Sequence, residues 1–311
     1  MRAIGIVSIL LAAFSLLPSR SEPQDRPTFK AESELVVLHV SVRDRGGRYI
    51  TDLTRDAFTV IDDGKPQTLE MFSAGEVPAS VGVLIDNSNS MQANRDRVIA
   101  SSVAFAKASH PKDEIFVLAF NESVRRAWGP AVAGEMDFTA FASAMNAAIV
   151  ARGMTAIYDG ILAGLEYLVR AMHTRQVLIA VSDGGDNASK ATMDAALARV
   201  RESDATIYTV VLVDPLMRDG NPKLLRRLSR STGGESFTPK RVDDVPGAFA
   251  AIAKDIRSAY TLAYVPTPIG DRPAAERHRR TVKVYVRSRD GRPLEVRARD
   301  GYFARVAEER R

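Results

Sequence analysis

Four short apolar runs constrain this chain more than anything else in it: SVGVLID (Ser80–Asp86), EIFVLAF (Glu114–Phe120), QVLIAVSDG (Gln176–Gly184) and TIYTVVLVD (Thr206–Asp214). Each is apolar on both faces, as strands buried on both sides must be. Between and after them lie segments of helical period: Arg95–Ala108, Phe138–Val150, Ile157–Met172, Thr192–Ser203, Leu224–Ser231 and Val245–Ser258. Strands alternating with helices predict an α/β fold, a doubly wound and mostly parallel sheet with helices on both faces.

On either side of this stretch the rhythm is strand and turn alone. LVVLHVSV (Leu35–Val42), Phe58–Ile61 and Gln67–Phe72 precede it; YTLAYVP, TVKVYVR (Thr281–Arg287) and Pro293–Phe303 follow. Each flank is short for a domain of its own, and each has an apolar face to cover. The α/β unit is therefore expected to be inserted between β-strand flanks that pair into a small β-sandwich. The first residues, MRAIGIVSILLAAFSLLPSR, have the plan of a secretory signal: one Arg, then an apolar run shorter than the roughly 20 residues a bilayer span needs. An uncleaved N-terminal anchor is the alternative. The expected organisation is a signal peptide over 1–21, a linker over 22–30, an N-terminal β segment over 31–77, the α/β domain over 78–258, a C-terminal β segment over 259–306 and a tail over 307–311. The expected location is secreted or periplasmic, with no stable membrane span after cleavage.

Composition removes several chemistries. The chain of 311 residues has no Cys, which excludes disulfides, thiolate metal sites and thiol catalysis. Its net charge of +5 is too mild to argue for nucleic acid, and no nucleic-acid partner is expected. Residues 270–311 hold thirteen Arg or Lys against seven acidic residues. These alternate with valines and read as a solvated strand face. His39, His110, His173 and His278 show no ligand spacing. Trp128 reads as packing.

The chemistry gathers at strand ends. The first buried strand delivers Asp86 to the carboxyl edge of the sheet, where ligands of such folds bind. Ser88 and Ser90 follow at a period of two, which keeps alternate side chains on one side. The loop RGMTAIYD brings Thr155, and VSDGGDN brings Asp183 ahead of two glycines. Asp, Ser, Ser, Thr and Asp offer only oxygen, a hard-cation set for which Mg2+ is the best candidate and Mn2+ or Ca2+ alternates. Two carboxylates and three hydroxyls leave room for an outside oxygen. Asp159, in the first turn of its helix, reads first as a dipole partner. Asp186 and Asn187, after the metal loop, are second-shell candidates, with Asp159 beside them.

These residues reach a family. Asp86-x-Ser88-x-Ser90, Thr155 ahead of AIYDG, and Asp183 of SDGGD resemble the metal-ion-dependent adhesion site of von Willebrand factor type A domains, over about residues 79–258. The resemblance implies that Ser88, Ser90 and Thr155 coordinate the metal, that Asp86 and Asp183 act largely through waters or switch to direct contact, and that the ligand is a protein partner offering an Asp or Glu carboxylate. DLTRDAFTVIDDGKPQ before the domain, and YTLAYVP and VRARDGYFA after it, resemble bacterial secreted VWFA-related domain proteins, which supports export and supplies no activity.

The expected function is thus a metal-dependent binding or adhesion module, not an enzyme. A structural module with a fold-stabilising metal comes second and a Mg2+-dependent hydrolase third. A nucleotide site would want a Gly-rich turn where the chain has DNSNSMQANR. A serine hydrolase would want a G-x-S-x-G elbow, which is missing. A phosphotransferase using Asp86 would want a cation beside it, and of the nearest in sequence, Arg95, Arg152 and Lys190, none sits between the five ligands of its own loop.

Overall fold

The computed structural model describes residues 35–212, 221–267, 279–288 and 291–304. The expected signal segment, linker, C-terminal tail and His278 lie outside them. The described chain runs through β1 (Val36–Arg43), β2 (Phe58–Asp62), β3 (Lys65–Gln67) and β4 (Leu69–Ser73), then enters the α/β region with β5 (Ser80–Asp86), α1 (Arg95–Ala108), β6 (Glu114–Phe120), β7 (Val124–Val132), α2 (Phe138–Ala148) and α3 (Ile157–Val169). It continues through β8 (Gln176–Ser182), α4 (Met193–Glu202), β9 (Thr206–Val211), α5 (Pro222–Ser231), β10 (Ser236–Phe237) and α6 (Val245–Ser258). It closes with β11 (Tyr260–Tyr264), β12 (Arg279–Val286), β13 (Glu295–Arg297) and β14 (Gly301–Phe303).

The four apolar runs form the parallel centre of a six-stranded sheet, ordered β10-β9-β8-β5-β6-β7, with β7 antiparallel at one edge. The fold class is as the alternating rhythm implies. Alternation along each strand splits the core in two. Val81, Val83 and Ile85 of β5 join Val98 of α1, Phe141 of α2 and Phe249 of α6 on one face. Leu84 joins Phe116, Ile161, Leu178, Leu197 and Leu225 on the other, under α3, α4 and α5. Gly82 faces that second layer because there is no space there: a Cβ would sit 2.4 Å from the ring of Phe116.

The flanks form two four-stranded antiparallel sheets, β13-β1-β11-β4 and β14-β12-β2-β3, and each mixes strands from both ends of the chain. Val36 pairs with Tyr264, and Val60 with Val284. Leu38, Val40, Phe58, Val60, Tyr260, Leu262, Val282 and Tyr302 share one core. The α/β region leaves and rejoins these flanks through neighbouring strands, since Ser73 of β4 pairs with Thr261 of β11. Within this core Asp62 is fully buried, yet it is bonded to Arg280 Nε (2.8 Å), Tyr264 Oη (3.0 Å) and Tyr302 Oη (2.8 Å).

Two local expectations are corrected, and one strand has no counterpart in the sequence reading. Pro293–Phe303 is two short strands, not one, because Ala298–Asp300 turns aside and Arg299 bridges to Thr232 of the α/β region. Gln67–Phe72 divides at Thr68 between β3 and β4, which belong to different sheets. Strand β7 escapes a period-two reading because its register against β6 shifts on both sides of Val117 and it carries Gly129-Pro130, a dipeptide tolerated at a sheet edge. Trp128 does pack, edge-on to Phe141 at 5.3 Å between ring centres.

Candidate metal-site loops

Strand β5 lies between β6 and β8, so its C-terminal end is where the chain switches direction across the sheet, the place such folds open a crevice. Asp86 ends β5, and Asp183 directly follows its neighbour β8. Ser88 opens a 3-10 turn, Asn89–Asn94, that contains Ser90 and leads into α1. Thr155 stands two residues before α3.

Hydrogen bonds stitch the three loops together. Asp86 Oδ1 accepts from the Ser88 amide (3.0 Å), and the Ser88 and Ser90 hydroxyls are 3.0 Å apart. Asn89 and Gly153 exchange bonds: the Asn89 amide donates to the Gly153 carbonyl (3.1 Å), and the Gly153 amide donates to Asn89 Oδ1 (3.2 Å). The Thr155 amide donates to Asn187 Oδ1 (2.8 Å), while the Asn187 and Ala188 amides both donate to the Thr155 carbonyl. The loop carrying Thr155 is thereby held against both the Ser88–Ser90 loop and the Asp183 loop.

The three second-shell candidates act as braces. Asn187 fixes Thr155. Asp186 Oδ1 accepts from the Ile157 amide (3.0 Å) and from the Ser189 hydroxyl, satisfying an orphan donor at the start of α3. The Asp159 carboxylate accepts from the Lys190 and Ala191 amides, both at 2.9 Å, and so clamps the loop that leads to α4. Its role is wider than a dipole partner's.

Four further residues build the site and were not singled out from the sequence. The Ser182 hydroxyl donates to Asp86 Oδ2 (2.6 Å) and accepts from the Gly184 amide (3.0 Å), linking the two aspartate loops. Its signal was a hydroxyl on the last residue of a strand that neighbours β5. Asn87 Oδ1 accepts from the Val150 and Ala151 amides, each at 2.7 Å, and holds Ala151 in a left-handed turn at φ 51°. Asn89 ties down Gly153, as above. Glu122 Oε1 accepts from the Met154 amide (2.7 Å). Gly153 has φ 90°, and a Cβ there would come within 2.5 Å of the Glu122 carboxylate, so this turn is open only to glycine.

The electrostatics are uneven. Asp86 is wholly buried and Asp183 nearly so. Burial pushes the Asp86 carboxyl up to about 6 against the lowering effect of the Ser182 and Ser88 bonds, and the Asp183 charge pushes the same way. Among the described residues no Arg or Lys side chain bonds either carboxylate. Nor do three His, Cys, Asp or Glu side chains gather anywhere among the described residues, so an ion here would draw on hydroxyls for much of its protein coordination. Two buried carboxylates, three hydroxyls and no nitrogen or sulfur fit a hard divalent cation. Ser88 and Thr155 are buried, Ser90 is half-buried, and the rim exposes Arg152, Met154 and Asn187.

Comparison with known proteins agrees with this architecture. No curated protein matches the chain. A von Willebrand factor type A protein from Catenulispora acidiphila aligns at 13% identity, covering 90% of this chain and 76% of its own, with a TM-score of 0.51. Proximal thread matrix protein 1 of the mussel byssus aligns at 15% identity over 63% of this chain, with a TM-score of 0.50, and this chain spans only 51% of its length. The same mussel protein with a zinc-occupied MIDAS motif also matches, at 14% identity over 63% of this chain and 49% of that one, with a TM-score of 0.48. The first two of these likenesses show the fold. The sequence model for the von Willebrand factor type A domain matches residues 80–251, more than half of the chain, and the chain belongs to that family.

Proposed function

We propose that this chain is a metal-dependent binding module, in which Asp86, Ser88, Ser90, Thr155 and Asp183 hold Mg2+ and the exposed side of the ion receives an Asp or Glu carboxylate from a protein partner. The observation that carries this reading is the stitching of three loops, by the bonds of Asn89, Ser182 and Asn187, around two buried carboxylates that have no cationic partner among the described residues. A bound Mg2+ would supply that charge and act as the electrophile for an incoming oxygen. The chain's own part is to fix the loops before the ion arrives. Ser182 orients Asp86, Asn187 sets the height of Thr155, Asp186 holds the start of α3 behind it, and Gly153 allows the tight turn. The hydroxyls add no negative charge, so a divalent ion beside two carboxylates keeps its appetite for one more anionic ligand. Met154 and Arg152 on the rim offer an apolar contact and a cation to the segment carrying that ligand. The resemblance of the first 21 residues to an export signal supports a site of action outside the cytoplasm.

Calorimetric titration of Mg2+ and Mn2+ into the full chain tests the reading, with Asp183→Ala as control. Saturable binding that disappears in Asp183→Ala, and that strengthens with millimolar glutamate present, is the expected result. Binding unchanged by Asp183→Ala overturns the site. Binding that raises the melting temperature yet ignores glutamate and acidic peptides leaves a fold-stabilising ion in place of ligand capture.

A further inference from the structure

Far from the Asp86 loops, α5 carries a second chemical signature. Its sequence PKLLRRLSRS turns Leu224, Leu225 and Leu228 into the core and leaves Lys223, Arg226, Arg227 and Arg230 exposed. These four cations fall at i, i+3, i+4 and i+7, a single stripe on one face. Like charges at that spacing work against the helix that bears them, and none of the four is paired with a carboxylate among the described residues. The stripe forms one wall of a cleft of about 580 Å3, completed by Arg201 from the last turn of α4, Ser231, and Arg279 and Asp300 from the β12–β14 edge of the flanking sheet. Only Arg279 has a described acidic partner, Asp300. Six cations thus line a cleft that holds one carboxylate, at the seam between the α/β region and the β flanks.

We propose that this cleft binds an extended anionic glycan through its sulfate or phosphate esters. Guanidinium groups suit tetrahedral oxyanions because each can donate two parallel bonds. The lining argues against other polyanions. Among the described residues it holds no aromatic ring on which bases could stack, as single-stranded nucleic acids require. Nor do the described lining residues include an apolar side chain to anchor a peptide or to enter a bilayer. Its cations come from two helices and a strand facing one another, so a flat membrane would meet few of them at once, whereas a narrow chain could lie between. The cleft uses none of the residues assigned to the metal loops and requires no metal.

The test is fluorescence titration of the full chain, in chelator and at low salt, with a heparin-derived octasaccharide, its desulfated form, a phosphorylated mannan oligosaccharide, polyglutamate and a single-stranded oligonucleotide. Arg226→Ser/Arg230→Ser is compared with Arg125→Ser/Arg126→Ser, which removes the same charge from exposed positions of β7. The sulfated octasaccharide or the phosphorylated mannan oligosaccharide is expected to bind, the tighter of the two naming the ester, with affinity that falls as salt rises. The desulfated form is expected not to bind. The α5 double variant should weaken binding by at least about tenfold, as the loss of two charge-assisted contacts implies, with an unchanged melting temperature. The β7 pair should leave binding as it was. Absence of binding to both ester-bearing probes, equal loss in the two double variants, or equally tight binding of polyglutamate or the oligonucleotide overturns the proposal.

Discussion

Two buried aspartates, at opposite ends of the α/β region, are treated in opposite ways. Asp255, near the end of α6, is surrounded by compensation: Oδ1 accepts from Arg297 (2.7 Å), Ser41 and Arg43 (3.4 Å), and Oδ2 accepts from Tyr208 Oη (2.7 Å). Burial alone would raise its carboxyl, but Arg297 and these hydroxyls together hold it below the ordinary carboxylate range. Glu235 bonds the far side of Arg43 and approaches Arg297 at 3.3 Å, so the charges alternate across the seam between the α/β region and the β flanks. Asp86 is equally buried and has hydroxyl and amide donors only, and the other charge acting on it is a like one. A buried charge whose partners are built in is a joint. A buried charge met, among the described residues, by neutral donors alone is the arrangement on which the proposed metal binding rests. Asp62 in the β flanks, with Arg280 and two tyrosines, belongs with Asp255.

Substitutions should separate the two cases by sign. Asp255→Ala strands Arg43 and Arg297 and is expected to cost about 3–5 kcal/mol in denaturant unfolding, the usual penalty for breaking a buried pair from one side. Lowering the pH should act on the same group more gently. Because its folded pKa is depressed, Asp255 contributes stability that is fully present above the ordinary carboxylate value near 4 and is lost as pH falls through its lower folded value. Asp255→Asn should flatten the unfolding midpoint against pH in that range, and a slope unchanged by the substitution would count against the comparison. Asp86→Asn should behave in the opposite sense, leaving stability in chelator unchanged or raised by about 1 kcal/mol, since it removes a charge that burial disfavours. A loss of several kcal/mol on thermal unfolding of Asp86→Asn would mean that Asp86 is a joint like Asp255. Arg97→Ala, which breaks an exposed pair with Asp243, sets the floor and should change stability by less than about 1 kcal/mol.

How much of this was legible in the sequence follows from how local each signal is. The four buried strands were readable because burial on both faces leaves an unbroken apolar run, and β5, β6, α1 and α6 have the bounds their patterns imply. Strand β7 was hidden by its irregular register and its Gly-Pro. Asp86, Ser88 and Ser90 could be seen because a period of two is a local rule. The braces could not. Ser182 matters through its distance to a residue 96 positions earlier, and Asn87 through a turn more than sixty positions later. The stripe on α5 was present as spacing, but its meaning depended on Arg201 and Arg279 standing opposite, which periodicity does not encode.

The interleaving of the two flanks has a consequence in time. Val36 pairs with Tyr264 and Val60 with Val284, so neither sheet of the β sandwich can close until the ribosome has passed the whole α/β region. At a synthesis rate of about 5–20 residues per second, β1 waits roughly 10–45 s with both hydrogen-bonding edges unmet, and β2 waits as long with only β3 beside it. During that interval the central sheet, whose strands are nearly contiguous, has every chance to form first. The order of assembly is written into the topology: the middle of the chain folds before its beginning, and the last strands to emerge are the ones that fasten the first.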